Sequence, residues 1–91
     1  MYYVYVLLSE KDGKYYIGFT KDLKTRFAEH NKGHVKSTVE RKPFKLIYYE
    51  ASLNQEDAIR REKYLKSSWG KRYLKNRLRA SLNLSNGARR R

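Results

Sequence analysis

The chain has 91 residues, which is enough for one domain with a single hydrophobic core. Its 22 Lys and Arg residues outnumber its 9 Asp and Glu residues, and the formal net charge of +13 favours a polyanionic partner such as nucleic acid. The absence of cysteine excludes disulfide frameworks and zinc sites with thiolate ligands.

Charge alone leaves other classes of protein open, because ribosomal proteins and proteins that bind a membrane surface are also basic. The longest apolar run is residues 4–8, interrupted by Tyr5, and it is far too short to cross a bilayer or to form the core of a signal peptide. We therefore expect a cytoplasmic protein with no membrane partner.

The first predicted element is a β-hairpin. Residues 2–8 are aromatic and β-branched, and residues 15–19 resume that pattern. The Asp12-Gly13 dipeptide between them is a strong signal for a tight hairpin turn.

A turn centred on that dipeptide also predicts which hairpin residues share a face. Tyr5 and Tyr16 fall on the same face, about 13 Å apart along the strands. Gly18 lies on this face too, where its missing side chain leaves room for a substrate or an incoming side chain.

A helix is predicted to follow the hairpin. Asp22 is a suitable N-cap, Leu23 and Phe27 form an apolar pair, and Gly33 can adopt the left-handed conformation that ends many helices. Residues 44–49, which follow a stretch without periodicity, are predicted to form a third strand.

Two more helices complete the predicted fold. The second begins after Asn54, with acidic residues in its first turn, where the helix dipole favours them, and it reaches about Ser67. Gly70 is predicted to interrupt the helix before a last, basic one. The fold is therefore predicted to be α+β with order ββαβαα, in which a small three-stranded sheet begins with an antiparallel hairpin and is packed by about three helices.

Charge is unevenly distributed along the chain. All acidic residues lie at or before Glu62, whereas residues 63–91 carry ten Lys and Arg residues. Residues 83–91 have too little apolar surface to become ordered, so they are predicted to be a disordered basic tail behind a domain of residues 1–82. The predicted nucleic-acid-binding residues are Lys63, Lys66, Lys71, Arg72 and Lys75.

A carboxylate interrupts the apolar face of the second predicted helix. At about 100° per residue, Ala58, Leu65 and Trp69 fall close together, and Glu62 lies among them. A buried carboxylate is costly unless it pairs with a cation, forms hydrogen bonds or binds a metal ion. On its own, Glu62 is better explained as a structural ion pair with a neighbouring arginine.

Arg26 and His30 interrupt the first predicted helix in a similar way. Their i, i+4 spacing places both on one face, toward the sheet. A lone histidine is more often a satisfied core residue, and a lone arginine is more often solvated. With Glu62, however, they form a set suited to phosphoryl transfer: arginine clamps a phosphate, histidine moves a proton near neutral pH, and a carboxylate holds Mg²⁺.

These residues, in this order, resemble the GIY-YIG endonucleases, and the resemblance covers nearly all of residues 1–78. It rests on Tyr3-Val4-Tyr5, on Tyr16-Ile17-Gly18 after ten intervening residues, on Arg26 and His30, and on Glu62 in a later helix. The most similar members are small single-domain proteins related to the N-terminal nuclease domain of the bacterial nucleotide-excision-repair incision subunit. Two positions depart from the family pattern: Tyr3 replaces a glycine, and Phe19 replaces a lysine found in some members.

The resemblance implies a metal-dependent nuclease that hydrolyses phosphodiester bonds in nucleic acid, with DNA as the expected substrate and DNA repair or recombination as its setting. It implies Tyr16 as the general base, Tyr5 and His30 as groups that assist proton transfer, and Arg26 as the ligand of the scissile phosphate. Glu62 is then the ligand of a single Mg²⁺ or Mn²⁺ ion.

Two functions without catalysis stay open. The domain could bind nucleic acid without cutting it, or it could be a basic protein associated with the ribosome. The combination of Tyr16, Arg26, His30 and Glu62 favours catalysis, because binding alone requires only a basic surface.

Overall fold

The computed structural model describes residues 1–80, and its elements confirm the predicted α+β class and the order ββαβαα. The strands are β1 (Tyr2–Ser9), β2 (Tyr15–Thr20) and β3 (Phe44–Ser52), and the helices are α1 (Leu23–Lys32), α2 (Gln55–Lys66) and α3 (Ser68–Arg77). Two predictions lie outside these described residues: the end of the domain at residue 82 and the basic tail at residues 83–91. Within residues 1–80, no helix is both long and apolar enough to span a membrane.

Strand β1 is the centre of an antiparallel sheet with the order β2-β1-β3, and helices cover both faces. One face is packed by α2 and α3, through Val4, Val6, Ile17, Ala58, Leu65, Leu74 and Leu78. The other face is packed by α1, through Tyr5, Leu7, Phe44, Leu23 and Phe27. Helices α1 and α2, which carry the predicted site residues, therefore approach the sheet from opposite faces.

The hairpin register differs by two residues from the prediction. Tyr5 pairs with Gly18, and residues 10–14 connect the two strands in place of a two-residue turn. The Ser9 hydroxyl stabilises this loop by accepting two backbone amide hydrogen bonds, of 3.1 and 3.0 Å. Because the shift is even, Tyr5 and Tyr16 keep the predicted common face, but they are diagonal neighbours instead of being far apart.

The predicted helix ends are confirmed. Asp22 caps α1 by accepting the Thr25 amide at 3.1 Å, and Gly33 ends this helix in the left-handed conformation with φ of 81°. Asn54 caps α2 by accepting two first-turn amides at 2.8 and 3.2 Å. These caps fix the residues at which α1 and α2 begin. They therefore also determine which side chains of each helix face the sheet.

The predicted interruption at Gly70 is wrong. The chain turns at Ser67, whose hydroxyl caps α3 by accepting the Gly70 amide at 3.2 Å. Gly70 is buried inside α3, where a side chain would overlap the backbone of Tyr64 and Leu65. The break at Ser67 also resets the helical phase, so Trp69, predicted to share the apolar face of α2, is 68% exposed.

Candidate active site

Two tyrosines and a histidine meet on the face of the sheet that α1 covers. The Tyr5 hydroxyl lies 2.8 Å from His30 Nε2, and the Tyr16 ring centroid lies 5.0 Å from that of His30 and 6.3 Å from that of Tyr5. Gly18 permits this arrangement, because a Cβ at this position would overlap the Tyr5 hydroxyl. The Tyr5 side chain of the central strand β1 therefore passes over Gly18 of the edge strand β2 and reaches His30.

Thr38 extends this contact into a buried hydrogen-bond chain. His30 Nδ1 lies 2.8 Å from the Thr38 hydroxyl, which in turn lies 3.4 Å from the Val35 carbonyl. The Val35 carbonyl only accepts, so the Thr38 hydroxyl donates to it and is free to accept a hydrogen bond from His30 Nδ1–H. The assignment that satisfies every group therefore has His30 Nδ1–H donating to Thr38 and the Tyr5 O–H donating to His30 Nε2.

Burial determines the protonation states of His30 and Tyr5 in this hydrogen-bond chain. Desolvation, with a smaller contribution from the Arg26 charge, lowers the pKa of His30 to about 4, and Glu29 partly opposes this shift. Desolvation also raises the pKa of Tyr5 to about 12, although the hydrogen bond from Arg26 offsets part of this effect. At neutral pH, His30 is therefore uncharged and Tyr5 keeps its proton.

Arg26 is the charged group of the cluster that solvent reaches. Its side chain is 37% exposed, and Nη1 lies 3.1 Å from Glu29 Oε1. Desolvation lowers the pKa of Arg26, but hydrogen bonds with Tyr5 and Glu29 outweigh it and raise the pKa above its usual value. Because the pair with Glu29 is exposed and worth little, a phosphate can replace it.

Glu62 is partly buried, with 20% of its side chain exposed, and its Oε2 lies 3.1 Å from Lys66 Nζ. Its partner is thus a lysine one turn later rather than the predicted arginine. Although α2 packs against the opposite face of the sheet, the charge of Glu62 raises the pKa of Tyr5. Its carboxylate therefore lies within electrostatic range of the cluster, without being part of the hydrogen-bond chain described above.

The donor set suits one hard divalent cation rather than a cage made only by protein. In the part of the chain that the structure describes, no three His, Cys, Asp or Glu side chains are grouped as metal ligands. Mg²⁺ usually keeps several waters and is bound through one or two carboxylates plus substrate phosphates. Glu62 offers such a carboxylate, since its exposed lysine partner contributes only about 0–1 kcal/mol and is readily displaced.

The predicted nucleic-acid-binding residues are all exposed, but they lie in different surroundings. Lys71 and Lys75 line a groove of about 490 Å³ together with Lys14 of the hairpin. Lys63 borders a separate depression, Lys66 pairs with Glu62, and the Arg72 guanidinium lies 5.1 Å from the Trp69 ring centroid.

Two residues were not predicted from the sequence: Thr38 of the buried hydrogen-bond chain and Lys14 of the basic groove. Thr38 lies in the aperiodic stretch before β3, where nothing in the pattern distinguishes a buried hydroxyl from a loop residue. Lys14 closes the hairpin loop, and only the observed packing of that loop near α3 brings it beside Lys71 and Lys75. Both depend on tertiary contacts rather than on local periodicity.

The chain is similar in sequence to known proteins. The family model for the GIY-YIG catalytic domain matches residues 1–83. The chain is 46% identical over 66 residues to the UPF0213 protein of Lacticaseibacillus paracasei, covering 71% of this chain and 73% of that protein. It is 42% identical over 67 residues to a UPF0213 protein of Halobacterium salinarum, covering 72% of this chain and 86% of that protein.

A solved structure is similar as well. The solution NMR structure of a UPF0213 protein from Bacillus halodurans matches with a TM-score of 0.50 and 38% sequence identity. The match covers 81% of this chain and 82% of that chain. The chain therefore belongs to the GIY-YIG family of nuclease domains.

Proposed function

We propose that this protein is an endonuclease that hydrolyses phosphodiester bonds in DNA with a single Mg²⁺ or Mn²⁺ ion as cofactor. The GIY-YIG domain implies a nucleic acid substrate. One observation carries the proposal: Tyr5 and His30 are sealed in the core, whereas Tyr16 and Arg26 of the same cluster are partly exposed. Tyr16 can therefore contact the attacking water, and Arg26 can contact the phosphate.

Tyr16 is the general base in this proposal. Water attacks phosphorus, its proton passes to the Tyr16 oxygen, and the bond between phosphorus and the leaving oxygen breaks. Tyr5 is a poor base because it is 1% exposed, has a pKa of about 12 and donates a hydrogen bond to His30. Tyr16 is partly exposed, so its hydroxyl can contact the attacking water.

Arg26 binds the scissile phosphate. Its guanidinium exchanges the exposed contact with Glu29 for two parallel hydrogen bonds to phosphate oxygens. The neutral His30 accepts a hydrogen bond from Tyr5 and so fixes the position of that side chain in the cluster. Glu62 would hold the divalent ion, which would supply Lewis-acid stabilisation of the charge on the leaving oxygen.

The test is cleavage of labelled duplex, single-stranded, flap and junction DNA, with Mg²⁺, with Mn²⁺ and with EDTA. We expect metal-dependent cleavage by the wild type and a loss of at least about 100-fold in Tyr16→Phe, the usual contribution of a general base. Tyr15→Phe is the matched control, because this neighbour packs on the opposite face of β2. Binding without metal should be unchanged in both variants.

Two results would contradict the proposal. One is binding of every substrate with no cleavage under any metal condition, which favours the non-catalytic binding module. The other is equal activity of Tyr16→Phe and wild type, which would leave metal-dependent cleavage in place but remove the assigned base.

A further inference from the structure

A groove of about 460 Å³ lies beside the cluster on the face of the sheet covered by α1. Its walls are mainly aromatic and aliphatic, and two lysines stand at its margin. The residues that line it are Tyr3, Lys21, Asp22, Leu23, Lys24, Phe27, Leu46 and Tyr49. Its volume falls within the range of ligand-binding clefts.

Strand pairing places this groove next to the cluster. Tyr49 is the direct partner of Tyr5 between β3 and β1, so the two side chains share a face and their Cα atoms are about 5 Å apart. The β3 strand has a bulge at Ile47, between Leu46 and Tyr48, which brings Leu46 to the same face as Tyr49 although these two residues are three positions apart. The groove therefore continues the site along β3.

Two tyrosines form the aromatic wall. The Tyr3 and Tyr49 rings meet edge to face at a centroid distance of 6.1 Å, and Tyr49 is 54% exposed. Tyr3 stands where the family pattern has glycine, so that pattern does not by itself predict this wall. An exposed tyrosine of this kind leaves one ring face free for stacking.

Charge complementarity indicates the occupant. Lys21 and Lys24 are exposed at the groove, and the carboxylate of Asp22 already accepts the Thr25 amide as a helix cap. An aromatic surface flanked by lysines suits a nucleobase with its phosphate, because the ring stacks on the base and the ammonium groups contact the backbone.

We propose that this groove binds an unpaired nucleotide next to the scissile phosphate, with its base stacked on Tyr49 and its phosphate near Lys21 and Lys24. A base inside a duplex is stacked on its neighbours and cannot reach Tyr49, so the preferred substrate is single-stranded or locally unpaired nucleic acid. This inference rests on the proposed function only for the position of the scissile phosphate.

The test is metal-free binding, measured by fluorescence anisotropy with a labelled single strand and the duplex of the same sequence. Tyr49→Ala should weaken single-strand binding by about tenfold, as loss of one stacked base does, and change duplex binding less than twofold. Tyr49→Phe should bind as wild type does, because stacking does not need the hydroxyl. Tyr64→Ala is the matched control, since Tyr64 is 39% exposed on α2, on the other side of the sheet.

A strand of abasic sites gives a second readout. On it, wild type and Tyr49→Ala should bind equally, since no base is present to stack. The groove assignment is overturned if Tyr49→Ala binds the normal single strand like wild type, if it weakens abasic and normal strands equally, or if its only effect is on self-association, which would make a second copy of the chain the occupant.

The two proposals fail in different ways. Tyr49-dependent binding of single strands without any cleavage would support the groove and contradict the nuclease. Metal-dependent cleavage that is equal on duplex and single strands, and unaffected by Tyr49→Ala, would support the nuclease and contradict the groove.

Discussion

The buried, neutral His30 predicts that the fold loses stability in mild acid. The pKa of His30 is lowered to about 4 in the folded protein, mainly by desolvation and then by Arg26, against about 6.5 in an unfolded chain. Between these values the unfolded chain binds more protons than the folded one, so stability is fully present above pH 6.5 and falls as the pH drops. The loss is about 3 kcal/mol in full, of which about 2 kcal/mol appears between pH 7 and pH 5.

The measurement is urea unfolding of the wild type at several pH values between 7 and 5. His30→Gln should lower the stability at pH 7 but remove most of the pH dependence, whereas His34→Gln, which changes an exposed histidine, should retain it. An NMR titration of the imidazoles gives a direct check that does not depend on a variant. A pKa near 6.5 for His30, or an unchanged slope in His30→Gln, would refute this reasoning.

Four further predictions concern single changes. Glu62→Gln should abolish metal-dependent cleavage and leave the melting temperature nearly unchanged, since the exposed Lys66 pair contributes about 0–1 kcal/mol; full cleavage would overturn the metal site. Gly18→Ala should lower the free energy of unfolding in urea by about 1–3 kcal/mol, because its Cβ displaces the buried Tyr5 ring; wild-type stability would contradict the observed packing. Thr38→Val should cost about 1–3 kcal/mol in the same assay by leaving His30 Nδ1–H unpaired, and Thr38→Ser should restore most of it; equal stability of the two variants would argue against the hydrogen bond. Removing residues 83–91 should weaken nucleic-acid binding and flatten its salt dependence, and an unchanged salt slope would show that the tail makes no contact.

Local chemistry was sufficient to predict the ends of the first two helices. Asp22, Gly33 and Asn54 act within a few residues of their own positions, so no knowledge of the remaining chain is needed to place them. Gly70 shows the limit of this approach. Glycine ends a helix in many sequences, but it also permits two backbones to approach closely, and only the contact with Tyr64 and Leu65 distinguishes these roles.

The hairpin register illustrates a different kind of error. The Asp12-Gly13 signal favours a two-residue turn, whereas the Ser9 hydroxyl stabilises a longer loop through contacts that no turn rule contains. An error of two residues leaves every side chain on its predicted face, since strand faces alternate with a period of two. The common face of Tyr5 and Tyr16 could therefore be predicted, but their proximity could not.

The position of Glu62 required the tertiary structure. Helical periodicity predicts that this residue points inward, but it does not predict which face of the sheet α2 covers. The chain passes from β3 at the edge of the sheet to α2 on the face opposite α1, so Glu62 and Arg26 reach the site from different sides. In this arrangement, the sheet between α1 and α2 fixes the distance between the two charges, and Gly18 leaves space for Tyr5 within it.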